Sequence, residues 1–183
     1  MKLRFNECSA FEQKEIEFDD GINFYITSNK CIQNDIYRFL KRNREKVCVI
    51  NSELDVNDIS NRVYFVNYNE KGMLLRNRKF KSVIDTNSEI VKLLDIQSNV
   101  FELKFKQLWH WSYLCSCALG ISKGKKILIF PWISSTECSV QSYRINKLFE
   151  YAQQNELIVV IPTDSIETLK SNTVYNMKYN IYE

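Results

Sequence analysis

A short polar segment lies between two apolar stretches near the start of the sequence. In residues 22–26 (INFYI), four of the five side chains are apolar and favour a strand. Residues 32–40 (IQNDIYRFL) place Ile32, Ile36, Phe39 and Leu40 at helical spacing. A strand followed by a loop and a helix is the setting in which backbone N–H groups bind phosphate. The intervening loop, Thr27 to Lys30, has no glycine and no phosphate-binding lysine. The position is therefore right for phosphate chemistry, but the residue types are not.

The composition describes a globular protein with few special turn residues. The 183 residues are 45% hydrophobic and 26% charged, with four glycines and two prolines. The net charge of +3 gives little reason to expect nucleic-acid binding. We interpret the basic clusters Arg38–Lys46 and Arg76–Lys81 as solvated faces.

The sequence predicts no metal site, signal peptide or membrane span. Its six cysteines lack zinc-site spacing, and His110 has no ligand cluster nearby in sequence. The N-terminal residues carry charges throughout, and no apolar run approaches the ~20 residues that a membrane span needs. We therefore expect a cytoplasmic protein with free cysteines that act as small buried hydrophobes, and membrane contact only through a partner.

Strands and helices alternate along the chain, which predicts an α/β fold with a mostly parallel sheet and crossover helices. The predicted strands are Leu3–Phe5, Glu15–Asp19, Ile22–Ile26, Lys46–Ile50, Arg62–Val66, Lys126–Phe130, Leu157–Ile161 and Val174–Tyr182. The predicted helices are Ile32–Arg42, Ser88–Ile96, Leu103–Ile121, Thr136–Gln154 and Asp164–Leu169, the last capped by Asp164 or Thr163.

Four segments in this order resemble the motifs of the ABC transporter nucleotide-binding domain, the ATP-binding cassette. Residues 21–40 resemble the region of the phosphate-binding loop, 65–69 (FVNYN) the Q-loop, 127–133 (ILIFPWI) the Walker B strand, and 158–164 (IVVIPTD) the switch-histidine strand. The resemblance implies a P-loop-NTPase-like three-layer sandwich, with a mostly parallel sheet and an antiparallel N-terminal part. It also implies a single domain, 1–183, with a helical subdomain at about 73–121.

The departures from the family pattern fall on its catalytic positions. Loop glycines align with Thr27, Lys30 and Ile32, where side chains hinder the close approach of backbone to phosphate. The phosphate-binding lysine aligns with Gln33, and the magnesium-binding hydroxyl with Asn34. Further positions follow the same trend: the Walker B acids align with Pro131 and Trp132, the Q-loop glutamine with Tyr68, the switch histidine with Thr163, and the signature with about Phe105–Trp109.

The resemblance thus implies a degenerate nucleotide site without catalytic residues, cofactor or metal. This site comprises Thr27, Ser28, Asn29, Lys30, Cys31, Ile32, Gln33, Asn34, Asp35, Tyr68, Pro131, Trp132 and Thr163. A partner interface is expected at Asn67, Tyr68, Asn69, Trp109 and Trp111, although core packing also accounts for the two tryptophans. Residues 120–126 (GISKGKK) also look like a phosphate loop, but their spacing is wrong and they join a helix to a strand.

Three functions follow as hypotheses. The first is a non-catalytic cassette subunit that docks on a membrane permease, pairs with an intact ATPase cassette, or does both, with peptide export or immunity as the process. Such a subunit would lie at the inner face of the cell membrane through its partner. The second is an active or nucleotide-binding ATPase, in which Phe11 or Tyr25 stacks on the base. The third is a soluble interaction or regulatory protein that reuses the fold.

Overall fold

The computed structural model describes residues 1–50, 59–67, 76–108, 111–167 and 180–182. Three residues of the predicted nucleotide site and partner interface, Tyr68, Asn69 and Trp109, lie outside these ranges. Most of the predicted helix Asp164–Leu169 is within them, but its last two residues are not. Of the predicted strand Val174–Tyr182, only Asn180–Tyr182 is described, and it is a strand.

The strands form two sheets. They are β1 (Lys2–Asn6), β2 (Glu15–Asp19), β3 (Gly21–Ile26), β4 (Val47–Ile50), β5 (Val63–Phe65), β6 (Ile127–Ile129), β7 (Ile158–Thr163) and β8 (Asn180–Tyr182). An antiparallel sheet has the order β2-β1-β4, and a parallel sheet has the order β5-β6-β7-β3-β8. The predicted α/β fold, with a mostly parallel sheet and an antiparallel N-terminal part, is confirmed.

The helices connect the parallel strands and cover both faces of their sheet. They are α1 (Ile32–Arg42), α2 (Ile59–Arg62), α3 (Glu89–Leu93), α4 (Ser98–Phe101), α5 (Ser112–Ser122), α6 (Ser135–Val140) and α7 (Ser142–Gln154). Helix α1 has the predicted bounds, because its apolar residues Ile32, Ile36, Phe39 and Leu40 all fall on one buried face.

Two predicted long helices are wrong. Residues 103–121 do not form one helix, because the N–H of Phe105 donates to the carbonyl of Arg78, and the N–H of Phe80 donates to that of Leu103. These hydrogen bonds between distant segments use backbone groups that a helix would need. Only a 3₁₀ turn and α5 therefore remain. Residues 136–154 are likewise split into α6 and α7 at Gln141. The carbonyl of Gln141 accepts the N–H groups of Arg144 and Ile145 in the first turn of α7.

The parallel sheet is buried on both faces, as its unbroken apolar strands predict. Alternate side chains point to opposite faces, which creates two hydrophobic clusters. One face packs against α5, α7 and residues 80–108, and includes Ile22, Phe24, Leu128, Val159 and Ile161. The other packs against α1 and the antiparallel sheet, and includes Tyr25, Ile127, Ile129, Ile158 and Val160. Because the core packs on both faces of β3, β6 and β7, the ends of these strands have fixed positions.

Candidate functional site

The carboxyl ends of β3, β5, β6 and β7 meet along one edge of the parallel sheet, where α/β proteins usually bind ligands. The N–H of Thr27, just after β3, donates to the carbonyl of Thr163 at the end of β7, with an N–O distance of 2.8 Å. The N–H of Val66, just after β5, donates to Ile129 of β6 at 2.9 Å. The loops that carry most of the predicted site are therefore neighbours.

The loop after β3 satisfies several of its own backbone donors. The N–H of Asn29 donates to the hydroxyl of Thr27 at 3.1 Å, and the N–H of Cys31 donates to the side-chain oxygen of Asn29 at 2.9 Å. The N–H of Ile32 donates to the Asn29 carbonyl, and the Asn29 amide donates to the Asp35 carboxylate at 3.0 Å. These three N–H groups are therefore engaged within the loop and are not directed at an anion, and a carboxylate lies beside them.

Gln33 occupies the first turn of α1 as a structural cross-link. Its side chain is only 7% exposed, and its amide Nε2 donates to the carbonyls of Val66 and Ile129, both at 2.8 Å. The two acceptors lie at the ends of β5 and β6, so this amide ties α1 to two strands at once. A lysine in the same position would have to leave these acceptors to reach a ligand.

Trp132 covers the loop from the segment that follows β6. Its indole Nε1 donates to the Thr27 carbonyl at 2.8 Å, and the Lys30 ammonium lies 5.0 Å from the centre of its ring. Trp132 and its neighbour Pro131 are half-buried, so the indole forms part of the packed edge. The aromatic ring and the one lysine of the loop therefore interact with each other, in a cation–π geometry.

The end of β7 is equally occupied. Thr163 is fully buried, and its hydroxyl is within 3.4 Å of both the Asp164 carboxylate and the Ser165 carbonyl. Asp164 is predicted from the sequence to cap the helix that follows it. Its carboxylate instead accepts the N–H of Ser135 in the first turn of α6, at 2.8 Å. This hydrogen bond lowers the pKa of Asp164. Burial raises the pKa of the adjacent Cys138 to about 12, so that thiol stays protonated.

The end of β5 is fixed by α5. Asn67 adopts a positive φ of 56°, its N–H donates to the Ser116 hydroxyl at 2.9 Å, and its side-chain amide donates to Ser112 at 3.1 Å. The helix can approach this closely because residue 120 is glycine: a Cβ there would lie 2.6 Å from the Tyr64 ring. Asn67 is therefore held in one position by two hydroxyls of the same helix face.

The aromatic side chains that could stack on a base are inside the core. Phe11 is 6% exposed and Tyr25 is 1% exposed, and their rings pack edge to face with centroids 5.1 Å apart. Neither ring has a free face for a nucleotide. Trp111, predicted as a partner contact, is also buried at 8% exposure, and the Arg144 guanidinium lies 3.8 Å from its ring centre.

The structure thus brings Thr27, Lys30, Gln33, Trp132 and Thr163 to one edge, and places Trp111 in the core cluster away from solvent. The hydrogen bonds to Val66, Ser135 and Ser116 could not be inferred from the sequence, because their partners are far away in the chain. Of the remaining predicted residues, Ser28, Cys31 and Asn34 are exposed, whereas Ile32 is fully buried. Among the described residues, no three His, Cys, Asp or Glu side chains are grouped as metal ligands.

Comparisons with known proteins identify the fold. No protein-family model and no curated protein matches the sequence. Among solved structures, cbiO1 from Clostridium perfringens, part of the ABC transporter complex cbiONQ, superposes with a TM-score of 0.62 and 12% identity over 93% of this chain and 81% of that chain. The fold is that of an ATP-binding cassette.

Two further cassettes show the same likeness. A putative ABC transporter ATP-binding protein from Pyrococcus furiosus gives a TM-score of 0.57 and 12% identity over 90% of this chain and 92% of that chain. A nucleotide-free ATP-binding cassette from an ABC transporter gives a TM-score of 0.59 and 11% identity over 94% of this chain and 85% of that chain. The cassette fold therefore extends over nearly the whole chain, although few residues are shared. Within the described residues, no helix is both long and apolar enough to cross a membrane.

Proposed function

We propose that this chain is a non-hydrolysing, ABC-cassette-like subunit that docks on a membrane permease, pairs with an intact ATPase cassette, or does both. One observation carries the proposal: Gln33, which aligns with the phosphate-binding lysine, uses its side chain to hold β5 and β6 together. A buried neutral amide supplies no positive charge to a triphosphate, and its donors are already committed.

The rest of the edge supports the same conclusion. A phosphate loop binds its ligand through free N–H groups, whereas here Asn29 and Cys31 donate theirs to side chains of the loop itself. Pro131 and Trp132 stand where the Walker B acids align, and Thr163, where the switch histidine aligns, is fully buried. The positions that would hold magnesium and activate water thus carry no carboxylate or imidazole.

The retained core supports a role through contact rather than catalysis. Strands β3, β6 and β7 pack on both faces, so the fold is intact although the positions that align with catalytic residues carry other residue types. We assign the docking surface to the end of β5, where Asn67 is half-buried and held by α5. A rigid backbone at this point would give a partner a preformed surface to bind.

Calorimetry tests the loss of nucleotide binding. ATP is titrated at millimolar concentration with Mg²⁺, and an intact cassette is titrated in parallel as the positive control. We expect no binding heat from this chain, which corresponds to a Kd weaker than about 1 mM and less than about 4 kcal/mol of binding free energy. Micromolar binding would overturn the proposal and would make Lys30 and Gln33 the first residues to substitute.

A second experiment tests docking. The tagged chain is expressed in its native host, membranes are solubilised in mild detergent, and proteins that co-purify are identified by mass spectrometry. We expect to recover a polytopic permease, an intact cassette, or both. The variant Asn67→Asp places a charge in the proposed docking surface and should recover less of these partners. The permease recovered would also test whether the process is peptide export or immunity. Recovery of the chain as a monomer without either partner would contradict docking.

A further inference from the structure

The segment between β5 and α5 carries the net charge of the chain. Residues 76–108 contain seven basic and four acidic side chains, an excess of three, which equals the net charge of +3 for all 183 residues. The remaining residues are thus electrically balanced. A charge excess confined to one small segment indicates a surface with its own electrostatic role.

The structure concentrates this charge further by joining two pieces of the segment. Lys79 and Lys104 face each other in an antiparallel bridge, which is flanked by the hydrogen bonds from Phe80 to Leu103 and from Phe105 to Arg78. We call residues 76–81 and 101–106 the basic ribbon. Its exposed cations are Arg76, Arg78, Lys79, Lys81, Lys104 and Lys106.

These cations are held together at an electrostatic cost. Like charges directly opposite each other on paired strands are destabilising, and Lys79 lies opposite Lys104. Glu102, the one carboxylate in the sequence of the ribbon, contacts both Lys79 and Lys81, and these lysines lower its pKa to about 2. Among the described residues, no carboxylate lies within ion-pair distance of the other four cations. Most of the positive charge of the ribbon is therefore not neutralised by carboxylates of the described residues.

The other basic cluster differs in this respect. At the end of α1, the Lys46 ammonium pairs with Glu7 at 2.6 Å, and the Lys41 ammonium lies over the Tyr37 ring at 4.3 Å from its centre. That cluster therefore uses part of its charge within the chain, whereas most of the ribbon presents its charge to solvent.

The aromatic residues of the ribbon decide which partner fits. Phe80 is fully buried, and it stacks on Phe101 with ring centroids 6.2 Å apart and packs against Phe105 at 6.0 Å. Because Phe80 is buried and the other two rings pack against it, the ribbon presents little ring surface on which nucleic-acid bases could stack. Exposed lysines next to half-buried aromatic residues suit the boundary between lipid headgroups and acyl chains.

We propose that the basic ribbon binds the anionic surface of a lipid bilayer directly. Attraction to anionic headgroups needs no pocket and no fixed geometry, since each basic side chain near the surface contributes separately, by about fivefold in affinity. This contact is independent of the permease or cassette partner proposed above. It can therefore be tested on the purified chain alone.

Vesicle co-sedimentation tests the proposal. The chain is mixed with vesicles of phosphatidylcholine, or of phosphatidylcholine with phosphatidylglycerol, at low and high salt. We expect binding to the anionic vesicles only, weakening as salt increases. Absence of binding to anionic vesicles at low salt would overturn the proposal. The proposal would also be overturned if the chain bound an acidic peptide or an RNA oligonucleotide but did not bind the anionic vesicles, because the partner would then be a macromolecule.

Matched variants locate the effect. Lys104→Glu with Lys106→Glu should reduce partitioning at least about tenfold. Arg38→Glu with Arg42→Glu on α1 makes the same change in net charge, and should have less than about a third of that effect. Equal losses in both variants would show a response to net charge alone, and would overturn the assignment to the ribbon.

A third variant is expected to bind anionic vesicles more tightly than the unmodified chain. Glu102→Gln frees Lys79 and Lys81 and should strengthen binding about fivefold. Since Glu102 is an exposed residue, this variant should keep the fold, which far-ultraviolet circular dichroism checks. Unchanged or weaker binding by a folded Glu102→Gln variant would contradict the proposal.

Discussion

The carboxyl edge of the parallel sheet and the basic ribbon treat their polar groups in opposite ways. At the sheet edge, Gln33, Trp132 and Thr163 all turn their hydrogen-bonding groups to other parts of the chain. At the ribbon, most of the cations face solvent without a partner carboxylate in the described residues. The edge where α/β proteins usually bind ligands is internally hydrogen-bonded at these residues, whereas the ribbon presents most of its positive charge to solvent.

This difference shows how the edge of a sheet can satisfy its polar groups within the chain. Each polar group that is buried at the edge must be hydrogen-bonded. Internal partners such as the carbonyls of Val66 and Ile129 satisfy that need, and they stiffen the edge at the same time. The predictions below test how much stability these internal bonds provide.

The largest effect is expected at Gln33. Gln33→Leu keeps a similar volume but removes two hydrogen bonds and leaves the Val66 and Ile129 carbonyls with fewer donors, so we expect about 2–3 kcal/mol of destabilisation. Urea unfolding measures it. Asn34→Ala, at the exposed next position, is the control and should change stability by less than about 0.5 kcal/mol. Equal effects of the two substitutions would contradict a structural role for Gln33.

Trp132→Ala should have the next largest effect. It removes the indole hydrogen bond to Thr27 and the ring beneath Lys30, which should cost about 1–2 kcal/mol. Trp132→Phe keeps a ring for Lys30 and should retain part of that stability. Neither variant should bind ATP in calorimetry, because Gln33 and the loop remain as they are. Nucleotide binding gained by Trp132→Ala would show that the indole alone had closed the site.

Asp164 should contribute less, because it is exposed. Asp164→Ala removes the acceptor for the Ser135 N–H and should cost about 0.5 kcal/mol at neutral pH. The folded pKa of Asp164 is lowered below its ordinary value of 3.8, so its contribution is present above that pH and is lost as the pH falls through the folded pKa. Unfolding curves of both proteins should therefore converge once the pH has fallen below the folded pKa of Asp164. A difference that persists there would point to a cause other than the carboxylate charge.

Lys30 should give the smallest change. Its ammonium lies over the Trp132 ring at an exposed site, so Lys30→Ala should cost about 0.5 kcal/mol or less. It should also leave vesicle binding unchanged, unlike substitutions in the basic ribbon. A loss of vesicle binding here would show that the sheet edge and the ribbon are one charged surface, and that the contrast between them is wrong.

Much of the fold can be predicted from the sequence, because local pattern and burial agree. Segments such as KILIF and LIVVI could only be strands buried on both faces, and α1 shows its apolar stripe directly. The errors occur where tertiary bonds override helical spacing. Nothing near Phe105 indicates that its N–H will bond to Arg78, and Gln141 interrupts a helix without glycine or proline.

The candidate site is predictable in position but not in chemistry. The order of the loop, strands and helices places Thr27, Trp132 and Thr163 at one edge, as the resemblance to a cassette implies. What Gln33 does depends on carbonyls 33 and 96 positions away, and the basic ribbon depends on a bridge between Lys79 and Lys104. Pairings over such distances leave no periodic signal in the sequence.

The strand order has a consequence for synthesis. Strand β3 lies between β7 and β8, so Asn23 hydrogen-bonds to Val159, 136 positions later. At ribosomal rates, β3 waits on the order of ten seconds before that partner has been translated. Throughout this interval an apolar strand with two unpaired edges is exposed to other nascent chains. The parallel sheet can therefore be completed only after β7 and β8 have been synthesised.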